Sequence, residues 1–256
     1  MKLEDLLTEL RENILHDRSD RITGQTDRLW SDATLVRYID EAQKRFARLG
    51  LVLRDASTPE VTQVTLATGV ETYTLHPSVL AVITAKHTAD AGDMTRAGHA
   101  ALGTFYRPTG VTWDPAQYAQ LPPGKPVGYS TDEEIRINDE DATQSLVTLR
   151  VYPAPSADYS GDTISLRVVR LPIDDLTTRD MCAVPEIPSI HHLEMLDWAA
   201  YLALRIVDHD LGDPARAHEF RALFEKHVTQ ARKDAMRKMF TPLPWGFGRN
   251  GFSWES

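Results

Sequence analysis

The hydrophobic period changes twice along this chain, and that double change limits what it can fold into. At the start it is helical. Leu3, Leu6, Leu7, Leu10 and Ile14 recur at helical spacing, which predicts an amphipathic helix over 3–16. A polar stretch from Asp17 to Arg28 follows, and then a second stripe of Leu35, Ile39, Ala42, Phe46 and Leu49. Ser31 is placed to cap this helix, because its hydroxyl can accept from a free amide of the first turn. Gly50 is expected to end it at C′, where a left-handed residue is needed. From about residue 60 the period falls to two. Val61, Val64 and Leu66, then Tyr73 and Leu75, then Val79 to Thr84 read as short strands. The clearest strands are Glu134–Ile137, Leu146–Tyr152 and Thr163–Val169, the last two separated by a turn at Ser160-Gly161-Asp162. Their alternation of Leu and Val with Thr and Arg predicts antiparallel pairing, one face in a core and one in water.

The helical period returns after Pro185 and Pro188. Ser189 is expected to cap a helix running to about Asp210, and residues 196–207 are apolar nearly all round. Such a helix must sit centrally among others. Asp213-Pro214 then opens a last helix, cap followed by proline at its first position. Ala217, Phe220, Leu223, Phe224, Val228 and Ala231 form its stripe, and Arg232, Lys233, Arg237 and Lys238 suit its C-terminal end. The reading is an α+β fold: a helical bundle from N- and C-terminal helices, with an inserted antiparallel β-sheet or sandwich and an extended C-terminal tail. Its expected parts are N-terminal helices over 1–55, a β-rich insert over 56–180, C-terminal helices over 181–240 and the tail 241–256. The insert carries a Gly/Pro-rich loop over 92–128, with one strand expected around Phe105–Trp113. A loop that long in a compact domain is usually functional.

Composition narrows the function classes. With 256 residues, 42% hydrophobic and 25% charged, the chain is long enough to bury a core without staples. The single Cys182 excludes an internal disulfide framework and multi-cysteine metal sites. No apolar run approaches the roughly 20 residues of a membrane span. The acidic start, Met1-Lys2-Leu3-Glu4-Asp5, is unlike a secretory leader, so a soluble protein made inside a cell is expected. A net charge of −9 argues against binding phosphate backbones, yet suits a surface that DNA passes without sticking.

Catalytic and metal-binding motifs give little. Gly-x-Ser-x-Gly, a phosphate-binding glycine loop and His-Glu-x-x-His are all absent. Cys182 has no nucleophile signature around it. His191, His192 and Glu194 could suggest a metal, but neighbouring helical residues point about 100° apart. The acidic runs Asp132-Glu133-Glu134 and Asn138-Asp139-Glu140-Asp141 lack the alternating ligands and glycine of a calcium loop, and read as solvated hairpin turns. Neither a catalytic residue nor a metal or cofactor site is assigned, and the chain is expected not to be an enzyme. Two other classes remain as alternatives. One is a glycan- or small-molecule-binding β module stacking on Tyr106, Trp113 and Tyr118; the other is a hydrolase, for instance of cell walls, whose carboxylates meet only in the fold.

The tail, 241–256, contains two prolines and three glycines, which forbid a regular helix, yet also Trp245, Phe247, Phe252 and Trp254. Disordered tails are poor in aromatics. These four, with Arg249 between them, either fold back on their own domain or anchor a neighbouring subunit or partner.

The order of the parts resembles a known family. Arg28-Leu29-Trp30-Ser31-Asp32-Ala33-Thr34-Leu35-Val36-Arg37-Tyr38-Ile39-Asp40-Glu41-Ala42-Gln43 is similar to the opening helix of bacteriophage head-to-tail adaptor proteins. Gly124-Lys125-Pro126-Val127-Gly128-Tyr129 precedes the strands, and Val151-Tyr152-Pro153-Ala154-Pro155 resembles the family's strand ending in a Pro-x-Pro corner. Val184-Pro185-Glu186-Ile187-Pro188-Ser189-Ile190-His191-His192-Leu193 is similar to its return to the helical part. Together they span about residue 28 to 231. The resemblance implies a structural virion protein in the neck, between capsid and tail. It implies a homo-oligomeric ring, usually twelve-fold, bound to the portal protein and offering a platform to the tail tube or nozzle. DNA would pass through its channel without specific binding, and no membrane is involved. A C-terminal extension that reaches the portal is common in such proteins, which makes Trp245, Phe247, Arg249, Phe252 and Trp254 the candidate contacts to the portal or a neighbouring subunit.

Overall fold

A computed structural model describes residues 1–17, 28–90, 92–96, 122–136, 144–205 and 213–239. The chain divides into two compact units, one made of Leu53–Asp175 and one made of the segments on either side of it. Helices fill the outer segments and strands the inner one, so the fold is α+β.

In the helical unit, α1 (Leu3–Thr8), α2 (Asp32–Gly50), α3 (Leu196–Leu204) and α4 (Pro214–Met239) pack on one another. Two of the three expected N-caps form: the Ser31 hydroxyl accepts from Thr34 N–H at 3.1 Å, and Asp213 Oδ1 from Arg216 N–H at 3.1 Å. Most of the predicted stripe positions supply the core, with Leu3, Leu6, Leu10, Leu35, Ile39, Phe46, Phe224 and Val228 buried, but Leu49 and Leu223 are exposed. On α3 the residues Leu196, Trp198, Ala199, Ala200, Leu202, Ala203 and Leu204 are all buried, so it lies centrally. Trp198 packs 5.1 Å from the Phe224 ring, and the Arg45 guanidinium covers it at 3.8 Å from the ring centroid.

Three expectations for this unit change. The helix predicted over 3–16 is α-helical only to Thr8 and continues as a π turn over Glu9–Ile14, with Leu15 N–H donating to Leu10 O. Leu10 and Arg11 are both buried within it. Gly50 is the last residue of α2, and Leu51 takes the left-handed conformation, at φ 53°. A Cβ at Gly50 would lie 3.2 Å from Val52 Cγ1, so the glycine serves a close approach instead. Ser189 does not cap a long helix. Residues Ser189–His191 form a 3₁₀ turn and α3 begins at Leu196. His192 explains the delay: its ring is buried, with Nε2 held 2.9 Å from Ile187 O, which ties the segment back on itself.

The inner unit is a sandwich. One sheet joins β8 (Thr163–Arg170) to β1 (Arg54–Asp55), β2 (Gln63–Thr65) and β4 (Val79–His87). The other has the order β3 (Thr72–Thr74), β7 (Gln144–Tyr152), β6 (Gly128–Arg136) and β5 (Thr95–Arg96). Leu75, Val82, Ala85, Tyr129, Leu149, Val151, Ile164, Leu166 and Val168 meet between the sheets. Burial of each large apolar side chain contributes about 1.5–3 kcal/mol. The turn before β8 forms as read, with Gly161 at φ 91°.

Here too the structure departs from expectation. Pairing is antiparallel except for β5 with β6, which is parallel. Pro59–Thr62 forms one helical turn where Val61 was read into a strand. The strand expected to open at Glu134 opens at Gly128, six residues earlier, so Asp132, Glu133 and Glu134 lie within β6 rather than in a turn. The ladder with β7 from Gly128↔Tyr152 to Arg136↔Gln144 overrides the poor strand preference of acidic residues. The second acidic run and the strand predicted at Phe105–Trp113 lie outside the described residues, as do Tyr106 and Tyr118 of the loop 92–128.

Candidate assembly interface

The residues read as the partner contact, Trp245, Phe247, Arg249, Phe252 and Trp254, lie outside the described residues. The structure does describe the helix that leads to them. α4 runs 26 residues, and Arg232, Lys233, Arg237 and Lys238 at its end are exposed. Arg237 and Lys238, in the last turn, are favourably placed beside the negative end of the helix dipole.

A second surface was not singled out by sequence reasoning. The three most exposed large apolar side chains among the described residues are Ile190 at 71%, Val184 at 56% and Leu193 at 53%. All three fall in the ten-residue segment 184–193 of the helical unit. The segment is held from beneath. Pro185 and Ile187 are buried, Glu186 N–H donates to the Oε1 of buried Gln43 at 3.0 Å, and His192 bonds Ile187 O. Pro185, Ile187 and His192 are buried between the exposed Val184, Ile190 and Leu193, so the backbone is anchored while these apolar side chains face outward. Such a preorganised edge is suited to binding, because little entropy is lost when it is covered. Its sequence signal was the pair of prolines around Val184, Ile190 and Leu193, but only burial distinguishes outward from inward at a 3₁₀ turn.

The two histidines of this segment do not converge. His191 Nδ1 lies 2.6 Å from Glu194 Oε2 and its ring packs 5.0 Å from Phe46, while His192 is turned inward to Ile187. Burial pushes the His192 imidazole below the usual histidine range. Among the described residues no three His, Cys, Asp or Glu side chains gather as a metal site. Cys182 is a free, exposed thiol.

The remaining charged clusters hold the chain together at element ends. Arg11 is buried and donates to Asp17 at 2.5 Å, Asp32 at 2.5 Å and Trp30 O at 3.0 Å, fastening the start of α2 to the first helix. In the sandwich, the Arg170 guanidinium donates to Asp55 Oδ2 at 2.7 Å. Burial pushes the Asp55 carboxyl up, but hydrogen bonds from Thr58, Ser57 and Arg170 outweigh it and hold it well below the usual carboxylate range. His87 is fully buried with Nε2 3.2 Å from Asp162, and Ala89 N–H faces Nδ1 at 3.4 Å. Lys125 pairs with Asp90 close by. The Arg11, Arg170 and Lys125 pairs join cation to carboxylate, as in structural clamps.

A family model described as SU10 adaptor protein matches residues 1–245. The chain belongs to the SU10 adaptor protein family. This is a phage head–tail adaptor family, so the resemblance read from residues 28–231 is established over nearly the whole chain. No curated protein matches this adaptor. Family membership makes it a bacteriophage structural protein and a virion component that interacts with others of the particle. Among the described residues no helix is long and apolar enough to cross a membrane.

Proposed function

We propose that this adaptor is a subunit of a ring, twelve-fold in number, that joins the portal vertex to the tail and continues the DNA channel. The observation that carries the reading is the family match over residues 1–245. The net charge of −9 supports it, since a predominantly acidic wall repels phosphate at short range and lets DNA slide. Its place is the virion neck, reached by assembly in the host cytoplasm, with the portal protein on one side and tail tube or nozzle components on the other. The work is mechanical and not catalytic. Helices build the ring, and Trp245, Phe247, Arg249, Phe252 and Trp254 anchor each subunit to the portal or to its neighbour.

Cryo-electron microscopy of the chain mixed with the portal protein of the same phage tests this. The expected result is a closed ring on the portal with residues 241–256 ordered against protein. A chain that stays single and shows no affinity for the portal overturns it.

A further inference from the structure

We propose that the outward face of α4 between Lys226 and Lys238 is a binding site for the phosphate backbone of duplex DNA. The proposal rests on the ring reading above and names the part of each subunit that meets the DNA. It starts from where the charge lies. Between 226 and 238 the chain carries five cations, Lys226, Arg232, Lys233, Arg237 and Lys238, and one acid, Asp234, a net of +4. The other 243 residues therefore sum to −13. A cationic stripe along one helix, set in an acidic protein, is the electrostatic footprint of phosphate binding.

The helix holds this stripe outward. Phe224, Val228, Ala231 and Ala235 are buried, and Lys226, Lys233 and Arg237, spaced seven and four residues apart, fall on the opposite side. All three are exposed, as are Arg232 and Lys238 on either flank. Along the axis the three span about 16 Å, over which a duplex presents roughly five phosphates on each strand. Among the described residues Lys226, Arg232, Lys233 and Lys238 have no acid partner. Arg237 lies 3.5 Å from Asp234, whose carboxylate also accepts from Gln230.

The residue types favour DNA over an acidic protein. Among the described residues no large apolar side chain is exposed between 226 and 238. Protein interfaces are anchored by aromatic and apolar cores and are poor in Lys. Phosphate contacts need only positive charge and carry no sequence information, which suits DNA that must slide past. The chain's own segments outside the described residues offer little to neutralise the stripe. In 18–27, 97–121 and 240–256 the side-chain charges cancel. Asp208 and Asp210 precede the start of α4, about 30 Å of helix away from Lys233. Asp139, Glu140 and Asp141 are left, and the experiment separates them.

Fluorescence anisotropy of a labelled duplex of about 30 base pairs, titrated with the full-length chain and with its portal complex, tests the proposal. Expected is binding whose log K falls with log salt at a slope of about −3, as for three phosphate contacts. Lys226→Gln with Lys233→Gln and Arg237→Gln should weaken it at least tenfold and bring the slope close to zero. Circular dichroism of that variant should match the parent, since all three side chains are on the surface. Absence of binding by the parent, or unchanged affinity of the variant, in both settings overturns the proposal. Poly-glutamate bound as tightly as the duplex also overturns it, in favour of a protein partner. So does carbodiimide coupling of Lys226 or Lys233 to Asp139, Glu140 or Asp141 within one chain, which then supplies its own anions. A chain that fails to join the portal removes the ring reading, while the free-chain titration still decides the stripe.

Discussion

Arg11 is the side chain whose removal should disturb the helical unit most for the least change in volume. Its guanidinium is buried in the π turn and makes three hydrogen bonds, two of them to carboxylates. Replacing it with methionine keeps an unbranched chain of similar length and removes every donor. Asp17, 4% exposed, then keeps, among the described residues, only the Leu29 N–H donor at 2.9 Å. Stranding a buried charge in this way costs about 3–5 kcal/mol. The apolar methionine returns up to about 1 kcal/mol by burial, so Arg11→Met should lose about 3 kcal/mol. Adding Asp17→Asn removes the stranded charge, while the amide oxygen can still accept from Leu29. The double variant should regain at least about 1.5 kcal/mol, a coupling expected only for residues in contact. Urea unfolding followed by circular dichroism at 222 nm, which is dominated by helix, reads both numbers. A loss below about 1 kcal/mol for Arg11→Met, or additive effects in the double variant, would refute the claim that this network fastens α2 to the first helix.

Two carboxylates, buried Asp55 and half-buried Asp197, should respond to pH in opposite senses. Asp55 is held low, so its contribution is present above the ordinary carboxylate range near pH 4 and is lost as pH falls through its folded value. Asp55→Asn should cost about 2 kcal/mol at pH 7 and flatten the acid limb of a thermal-melting series. Burial pushes Asp197 up despite its 2.9 Å contact with His227, so its favourable contribution is complete below pH 4 and declines as pH rises through the folded value. Asp197→Asn should therefore be neutral or slightly stabilising at pH 7; a loss as large as that of Asp55→Asn would contradict this. The buried His192 is held below its usual range, so its contribution is present above about pH 6.5 and lost as pH falls. Melting temperatures between pH 7 and 5 should drop, and drop less in His192→Gln. A further outcome concerns assembly: Trp245→Ala with Trp254→Ala should reduce portal binding at least tenfold in a sedimentation assay while the melting temperature stays within about 2 °C.

Much of the candidate site was readable as chemistry and not as location. The aromatics of the tail stand out because four of them occur where prolines and glycines exclude a helix. The edge at 184–193 did not stand out, because Val184, Ile190 and Leu193 are ordinary core residues by type. Their outward direction depends on Gln43, 141 positions before Val184, and on the inward turn of His192.

The sequence alone determined the order of helical, β and helical parts, the caps at Ser31 and Asp213, and the turn at Gly161. These depend on side-chain period and on backbone preferences that act over a few residues. Tertiary structure decided the rest. It continued the first helix as a π turn, placed Leu51 rather than Gly50 in the left-handed conformation, and carried β6 through Asp132, Glu133 and Glu134. It also divided the strands between two sheets and delayed α3 to Leu196. Each of these outcomes trades a local preference for a specific packed contact, some near in sequence and some far, and the gain from such contacts is set by geometry that no residue period encodes.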